Sequence, residues 1–202
     1  MSVEDKLFRA IRDHSVKKVV KYIAAGVNVN ATEYEGDTPL MIAMNWGNVK
    51  IIRHLLRAGA RIDMFNKIGR TALLNVSFYT IDEEKRLQIL KLLLEQPNID
   101  SCINATDKYG LAPITCFAPD MLDDFVCIKA LLKAGADITD NSKPNARHVR
   151  YIGPFKVNTN PNILLTALKY NCTIVKCKLL VDCGAEYEHP LIKVLALVKK
   201  LY

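Results

Sequence analysis

No apolar run in this sequence comes near the roughly 20 residues that a bilayer-spanning helix needs; the longest, such as Val194 to Val198, is far too short. The first residues, MSVEDKLFRA, carry charge early and lack the apolar segment of a signal peptide. Cysteine is missing before Cys102, and the 6 cysteines show no paired spacing that would staple a small fold. A reducing compartment inside the cell, cytoplasm above all, fits that usage. Sequence signatures of catalysis are missing as well: there is no GxSxG, no P-loop, no GxGxxG and no HExxH. His14, His54, His148 and His189 are scattered. Asp82-Glu83-Glu84 beside Lys85-Arg86 reads as a solvated turn, because acid/base work needs a buried or partnered carboxylate. Cys172, Cys177, Cys183 and His189 have ligand types suited to zinc, but Cys172 and Cys177 do not share a helical face. The expectation is therefore a protein with no catalytic residues, no metal and no cofactor.

Acid is also missing from one long segment. The chain has 202 residues, is 50% hydrophobic and carries a formal charge of +7. Between 141 and 181 stand Lys143, Arg147, Arg150, Lys156, Lys169, Lys176 and Lys178 with no Asp or Glu, and they match the whole excess. Such a segment on a neutral body suggests either a solvated face or a local site for an acidic partner. Its stretch NSKPNARHVRYIGPFKVNTNP, residues 141–161, is broken by prolines and reads as a long loop.

The stretch Glu33 to Asp63 organises the rest. Gly36 suits a tight turn with positive φ. Thr38 can cap a helix whose first turn takes Pro39. Gly47 separates that helix from a second, whose Ile51, Ile52, Leu55 and Leu56 make one apolar face, and Gly59 closes it. Gly36, Thr38-Pro39-Leu40, Ala43, Gly47, Leu55-Leu56 and Gly59-Ala60 together resemble the turn, helix, turn, helix unit of the ankyrin repeat. Gly26 and Gly59, and again Gly36 and Gly69, are separated by about 33 residues, the period of that family. A unit of this kind cannot bury its apolar faces alone and needs neighbours of the same kind.

The resemblance implies an all-α solenoid of about five repeats. Residues 1–31 form an N-terminal capping repeat, 32–64 a regular one, and 65–105 one with an inserted turn around Tyr79 to Lys85. Asn98 stands there in place of the closing glycine, as a left-handed cap. Residues 106–140 make a repeat whose first helix Pro119 must stop early. After the basic loop, 162–188 is a degenerate repeat and 189–202 a capping helix.

In function the resemblance implies non-catalytic protein–protein interaction, through the turn tips and the concave, first-helix side. Carried to this sequence, the contact residues are Tyr34, Glu35 and Asp37; Lys67, Ile68 and Arg70; and Lys108, Tyr109 and Leu111. Asn45 and Trp46 are the exposed helix positions. Trp46, Ile68 and Tyr109 would form an apolar strip rimmed by charge. The partner is a protein, met by an adaptor or inhibitor in its own cell or by a viral, symbiont or bacterial protein acting on a host. A monomer is favoured. Asn30 matches asparagines that are hydroxylated in some proteins of this family. The alternative is a binder of nucleic acid or another acidic surface, using Lys143, Arg147, Arg150, Tyr151, Phe155 and Lys156. No nucleic-acid-binding motif accompanies that mixture, which ranks it below protein contact.

Overall fold

The structure is a computed structural model; it describes residues 2–76, 83–116, 125–136, 150–152 and 155–157. The chain divides into two compact units, 1–108 and 109–202.

The first unit is built from pairs of short antiparallel helices. Helix α1 (Val3–Arg12) opens on a Ser2 cap that accepts from the Asp5 amide, while the Asp5 carboxylate accepts from the Ser2 amide. This closes a reciprocal capping box. Leu7, Phe8, Ala10 and Ile11 are its buried stripe. Helix α2 (Val16–Ala24) returns beside it and buries Val19. The turn between them puts His14 at φ 54, a left-handed conformation. Gly47 holds the matching place one repeat on.

Helix α3 (Pro39–Asn45) starts as its sequence dictates: Thr38 Oγ1 accepts from the Met41 amide and Pro39 occupies the first turn. Pro39 to Met44 are all buried, because α3 lies between α1 and α5 (Ala72–Val76) and against its own partner α4 (Val49–Arg57). Asn48 caps α4, whose Ile51, Ile52 and Leu55 point inward. Helix α6 (Glu83–Leu94) packs on α5 and α4. First helices thus stack in one row and second helices in another, each row sealing the apolar stripes of the other.

The repeats are also tied at both ends. At the tips, the Lys67 amide donates to the Glu35 carbonyl at 3.0 Å, and the Lys108 amide to the Ile68 carbonyl at 2.9 Å. Where one repeat closes, the Asn30 side chain donates to the Gly59 carbonyl at 3.1 Å and accepts from the Arg61 amide at 2.8 Å. Asn30 is therefore a bridge between the first two repeats.

The third repeat closes differently from expectation. Asn98 has φ −104 and is not a left-handed cap. The chain runs on through a 3-10 turn, Ile99–Ser101, in which the Ser101 amide and hydroxyl both donate to the Asn98 carbonyl. Right-handed turns in succession satisfy the helix-end carbonyls, so no positive φ is needed. Of the insertion expected around Tyr79 to Lys85, Tyr79 to Asp82 lie outside the described residues, whereas Glu83, Glu84 and Lys85 form the start of α6 and not a turn between helices; Pro119 also lies outside the described residues.

In the second unit, α7 (Pro113–Cys116) and α8 (Phe125–Lys133) are described. Cys127, Ile128 and Leu131 are buried along α8. Strand β1 (Arg150–Ile152) pairs antiparallel with β2 (Phe155–Val157), Arg150 opposite Val157 and Ile152 opposite Phe155. A short ladder thus stands where the sequence suggests an uninterrupted loop, and the other regular elements among the described residues are helices.

Candidate functional site: the turn tips

The tips between repeats are stiffened from within. In the first tip the Gly36 amide donates to the Glu33 carbonyl at 2.8 Å, and in the second the Asn66 amide donates to the Arg70 carbonyl at 3.0 Å. Asn66 links the two: its amide nitrogen donates to Asp37 Oδ1 at 2.7 Å, and its own Oδ1 accepts from the Ile68 and Arg70 amides at 3.1 and 2.9 Å. One place further along, Arg70 Nε donates to Asp107 Oδ2 at 3.3 Å, with side chains 11% and 0% exposed. Asp37 and Arg70, both expected at the contact surface, are turned back into the stack and lock successive tips together. At the first tip Arg12 pairs with Glu33.

That framework leaves other side chains outside. Tyr34 is 84% exposed, and Lys67 Nζ stands 3.7 Å from its ring centroid. A cation over an aromatic face gains about 0.5–1 kcal/mol at an exposed site and fixes both orientations. Glu35 is exposed and Ile68 half-buried. Phe65, 53% exposed, joins this rim. It was not among the expected contacts, although its place just before Asn66 matches Thr32 of the preceding repeat, and an aromatic there is a readable signal. A hollow of about 510 Å³ lies between α1 and the first tip, lined by Phe8, Arg12, Thr32, Glu33 and Tyr34 among others.

Trp46 stands elsewhere. It is the C-cap of α3, at the opposite end of that helix from Thr38 and the tip. Its ring meets His14 edge-on at 5.1 Å and 88°, and it remains 54% exposed. With His14, Lys50, Glu84, Lys85 and Gln88 it borders a separate hollow of about 450 Å³. Asn45, its neighbour, is half-buried, and its buried Oδ1 has no hydrogen-bond partner among the described residues. Lys108 is exposed at the end of the first unit; Tyr109 and Leu111, both half-buried, belong to the second.

Of the alternative basic residues, Lys143 and Arg147 lie outside the described residues, whereas Arg150, Tyr151, Phe155 and Lys156 fall on the β1–β2 ladder. Cys172, Cys177, Cys183 and His189 also lie outside. Among the described residues no group of His, Cys, Asp and Glu could hold a metal ion, and no helix is long and apolar enough to cross a membrane. Perturbed acidities have structural causes. The Arg61 hydrogen bonds, at 3.0 and 2.9 Å, hold the Asp63 carboxyl below the usual carboxylate range. Burial pushes the Cys102 thiol up to about 12, helped by the charges of Asp63 and Asp100.

Against known proteins, a family model of ankyrin repeats in 3 copies matches residues 7–107. Rabankyrin-5 of Mus musculus is 26% identical over 158 residues, which cover 71% of this chain and 13% of that protein. Protein lin-12 of Caenorhabditis elegans is 25% identical over 142 residues, 70% of this chain and 10% of its own. Phosphocholine transferase AnkX of Legionella pneumophila is 30% identical over 142 residues, 69% of this chain and 14% of its own. The chain thus spans only 10–14% of the length of these curated relatives.

Proposed function

Because this chain belongs to the ankyrin-repeat family, whose repeats generally mediate protein–protein interaction, we propose that it is a non-catalytic binding module that grips one protein partner through its turn tips and first-helix side. The observation that carries this reading is the contrast at the tips. Asp37, Asn66, Arg70 and Asp107 are spent on locking neighbouring tips, while Tyr34, Phe65, Lys67 and Ile68 stand out from that rigid base. Aromatic anchors held in fixed orientation lose little entropy on binding and dominate interface energies. Glu35 and Lys108 supply a charged rim. Trp46 at the other end of α3 is an edge contact for a partner large enough to reach past the first-helix row. The role is that of an adaptor or inhibitor acting inside a cell; a pathogen protein acting on a host protein would use the same surface.

The test is affinity capture with and without nuclease, wild type beside Tyr34→Ala/Phe65→Ala and Trp46→Ala. A specific protein retained after nuclease and lost with the tip double variant, at unchanged melting temperature, is the expected result. Retention of every partner by the tip variant sinks the proposal.

A further inference from the structure

The neutral charge balance outside 141–181 hides a segregation. Helices α2 (VKKVVKYIA) and α4 (VKIIRHLLR), neighbours in the second-helix row, contain no Asp or Glu. Lys17, Lys18, Lys21, Lys50, Arg53 and Arg57 are all exposed. Among the described residues none of them enters an ion pair, whereas Arg12, Arg61 and Arg70 are matched with Glu33, Asp63 and Asp107. The nearest acids along the chain and the stack are Asp13, in the turn before α2, Glu83 and Glu84 on α6, and Glu95 just past its end. On α6 the exposed Lys85 and Lys91 balance them, so the basic face ends there.

Spacing arranges these cations in two rows. Lys50, Arg53 and Arg57 follow one another at i, i+3 and i+7, a single stripe on a helix. On α2, Lys17 holds the place that Lys50 holds one repeat later and Lys21 that of His54, while Val20 and Ala24 stand at the places of Arg53 and Arg57. Packed helices lie about 8–10 Å apart, so the rows run side by side at that separation. The composition of the face says what it suits. A protein interface has an apolar centre from which Lys is depleted, and a membrane-seeking helix sets Trp, Phe or Leu beside its cations. Here the large hydrophobic that stands exposed on the two helices is Val20, at 39%. Exposed cations with only Val20 as a large apolar side chain among them match phosphates, which need charge and no pocket.

We propose that the α2–α4 face binds the phosphate backbone of a nucleic-acid duplex without reading its base sequence. The missing motif that ranks nucleic acid low concerns base recognition; backbone contacts carry no sequence information and need none. This face is distinct from the turn tips, so the inference stands apart from the protein-binding reading.

The test is fluorescence anisotropy of the full chain with labelled DNA duplexes of about 20 base pairs, two unrelated sequences, between about 50 and 200 mM salt. Expected are equal affinities for both sequences and a log K against log salt slope of about −0.9 per phosphate neutralised, near −4 to −5 for the whole face. Lys50→Glu/Arg53→Glu weakens binding at least about tenfold at low salt and shallows the slope by about 2, with a circular dichroism melt no lower than that of wild type. Lys17→Gln/Lys18→Gln, a milder change, moves both quantities the same way. Tyr34→Ala/Phe65→Ala and Arg147→Glu/Arg150→Glu leave duplex binding intact. Loss of binding in the Arg147/Arg150 variant alone overturns the proposal. So does an absence of duplex binding, including the case in which phosphatidylserine vesicles are bound instead.

Discussion

A methyl group placed at Gly36 meets more than one placed at Gly59. Both glycines sit in the left-handed region, at φ +80 and +85. At Gly59 a Cβ has open space, so Gly59→Ala costs only the backbone strain, about 1–2 kcal/mol. At Gly36 it meets the Lys67 amide nitrogen at 3.0 Å and Asn66 Cα at 3.1 Å, both main chain of the next tip. Gly36→Ala should therefore destabilise clearly more than Gly59→Ala, read as the difference in urea midpoint; equal losses would mean that the tips are not in close register. The need for glycine at both places was legible from local pattern, but the close approach was not, because it involves a residue one repeat away. Cys102 makes a second test. Its thiol is buried and pushed up to about 12, against about 8.5 in an unfolded chain. The folded state thus keeps the proton that the unfolded state gives up. Cys102 then favours folding fully below about pH 8.5 and loses that contribution as pH rises from there toward 12. In peptide-level mass spectrometry near pH 8, alkylation of Cys102 should be slow and should follow global unfolding. Labelling as fast as in denaturant would show that the site is open.

At the scale of elements, the helices of the first three repeats follow from apolar spacing and caps; α1 to α5 lie where that spacing puts them, and α6 begins earlier, at Glu83, within the stretch expected as an inserted turn. Misreadings arise where a connection, rather than a helix, carries the structure. Asn98 looks like a glycine substitute if the helix end is matched to Gly59, yet extra residues after it let the chain close by a 3-10 turn. Asp37 and Arg70 look like contact residues because tips are usually exposed. Their inward turn depends on Asn66 and Asp107, whose pairing only the stacked arrangement makes visible. Arg70→Ala tests this directly. It takes the Arg70 guanidinium away from the Asp107 carboxylate, 0% exposed, and breaking a buried pair from one side costs about 3–5 kcal/mol. Lys67→Ala on the same tip removes only an exposed cation–π contact and should cost about 1 kcal/mol or less. If thermal melts rank the two the other way, Arg70 is a free surface residue and returns to the contact set.

For the whole molecule, the two faces of the repeat stack differ in how their charges are satisfied, and this difference has a stability consequence. Six cations on α2 and α4, without ion pairs among the described residues, repel one another. At about 10 Å in water each pair costs about 0.4 kcal/mol, and several such pairs make a penalty of the order of 1–2 kcal/mol. The screening length is about 30 Å at 0.01 M salt and about 3 Å at 1 M, so the penalty fades as salt is added. The ion pairs Arg12–Glu33 and Arg61–Asp63, with exposed arginines and half-buried carboxylates, weaken over the same range but contribute little at the outset; Arg70–Asp107 is buried and screened least. Net, the melting temperature should rise between about 0.01 and 1 M sodium chloride, by roughly 2–4 °C per kcal/mol relieved. Lys50→Glu replaces repulsion with attraction toward Lys17 and Arg53. It should therefore melt higher than wild type at low salt, and the gap should close as salt rises. A basic protein whose charge-reversal variant gains stability only where screening is weak carries its excess charge as a face kept unpaired at a cost, which is the condition a polyanion would relieve. If Lys50→Glu instead melts lower at low salt, the cations of α2 and α4 are compensated by neighbours, and the face has no charge to offer.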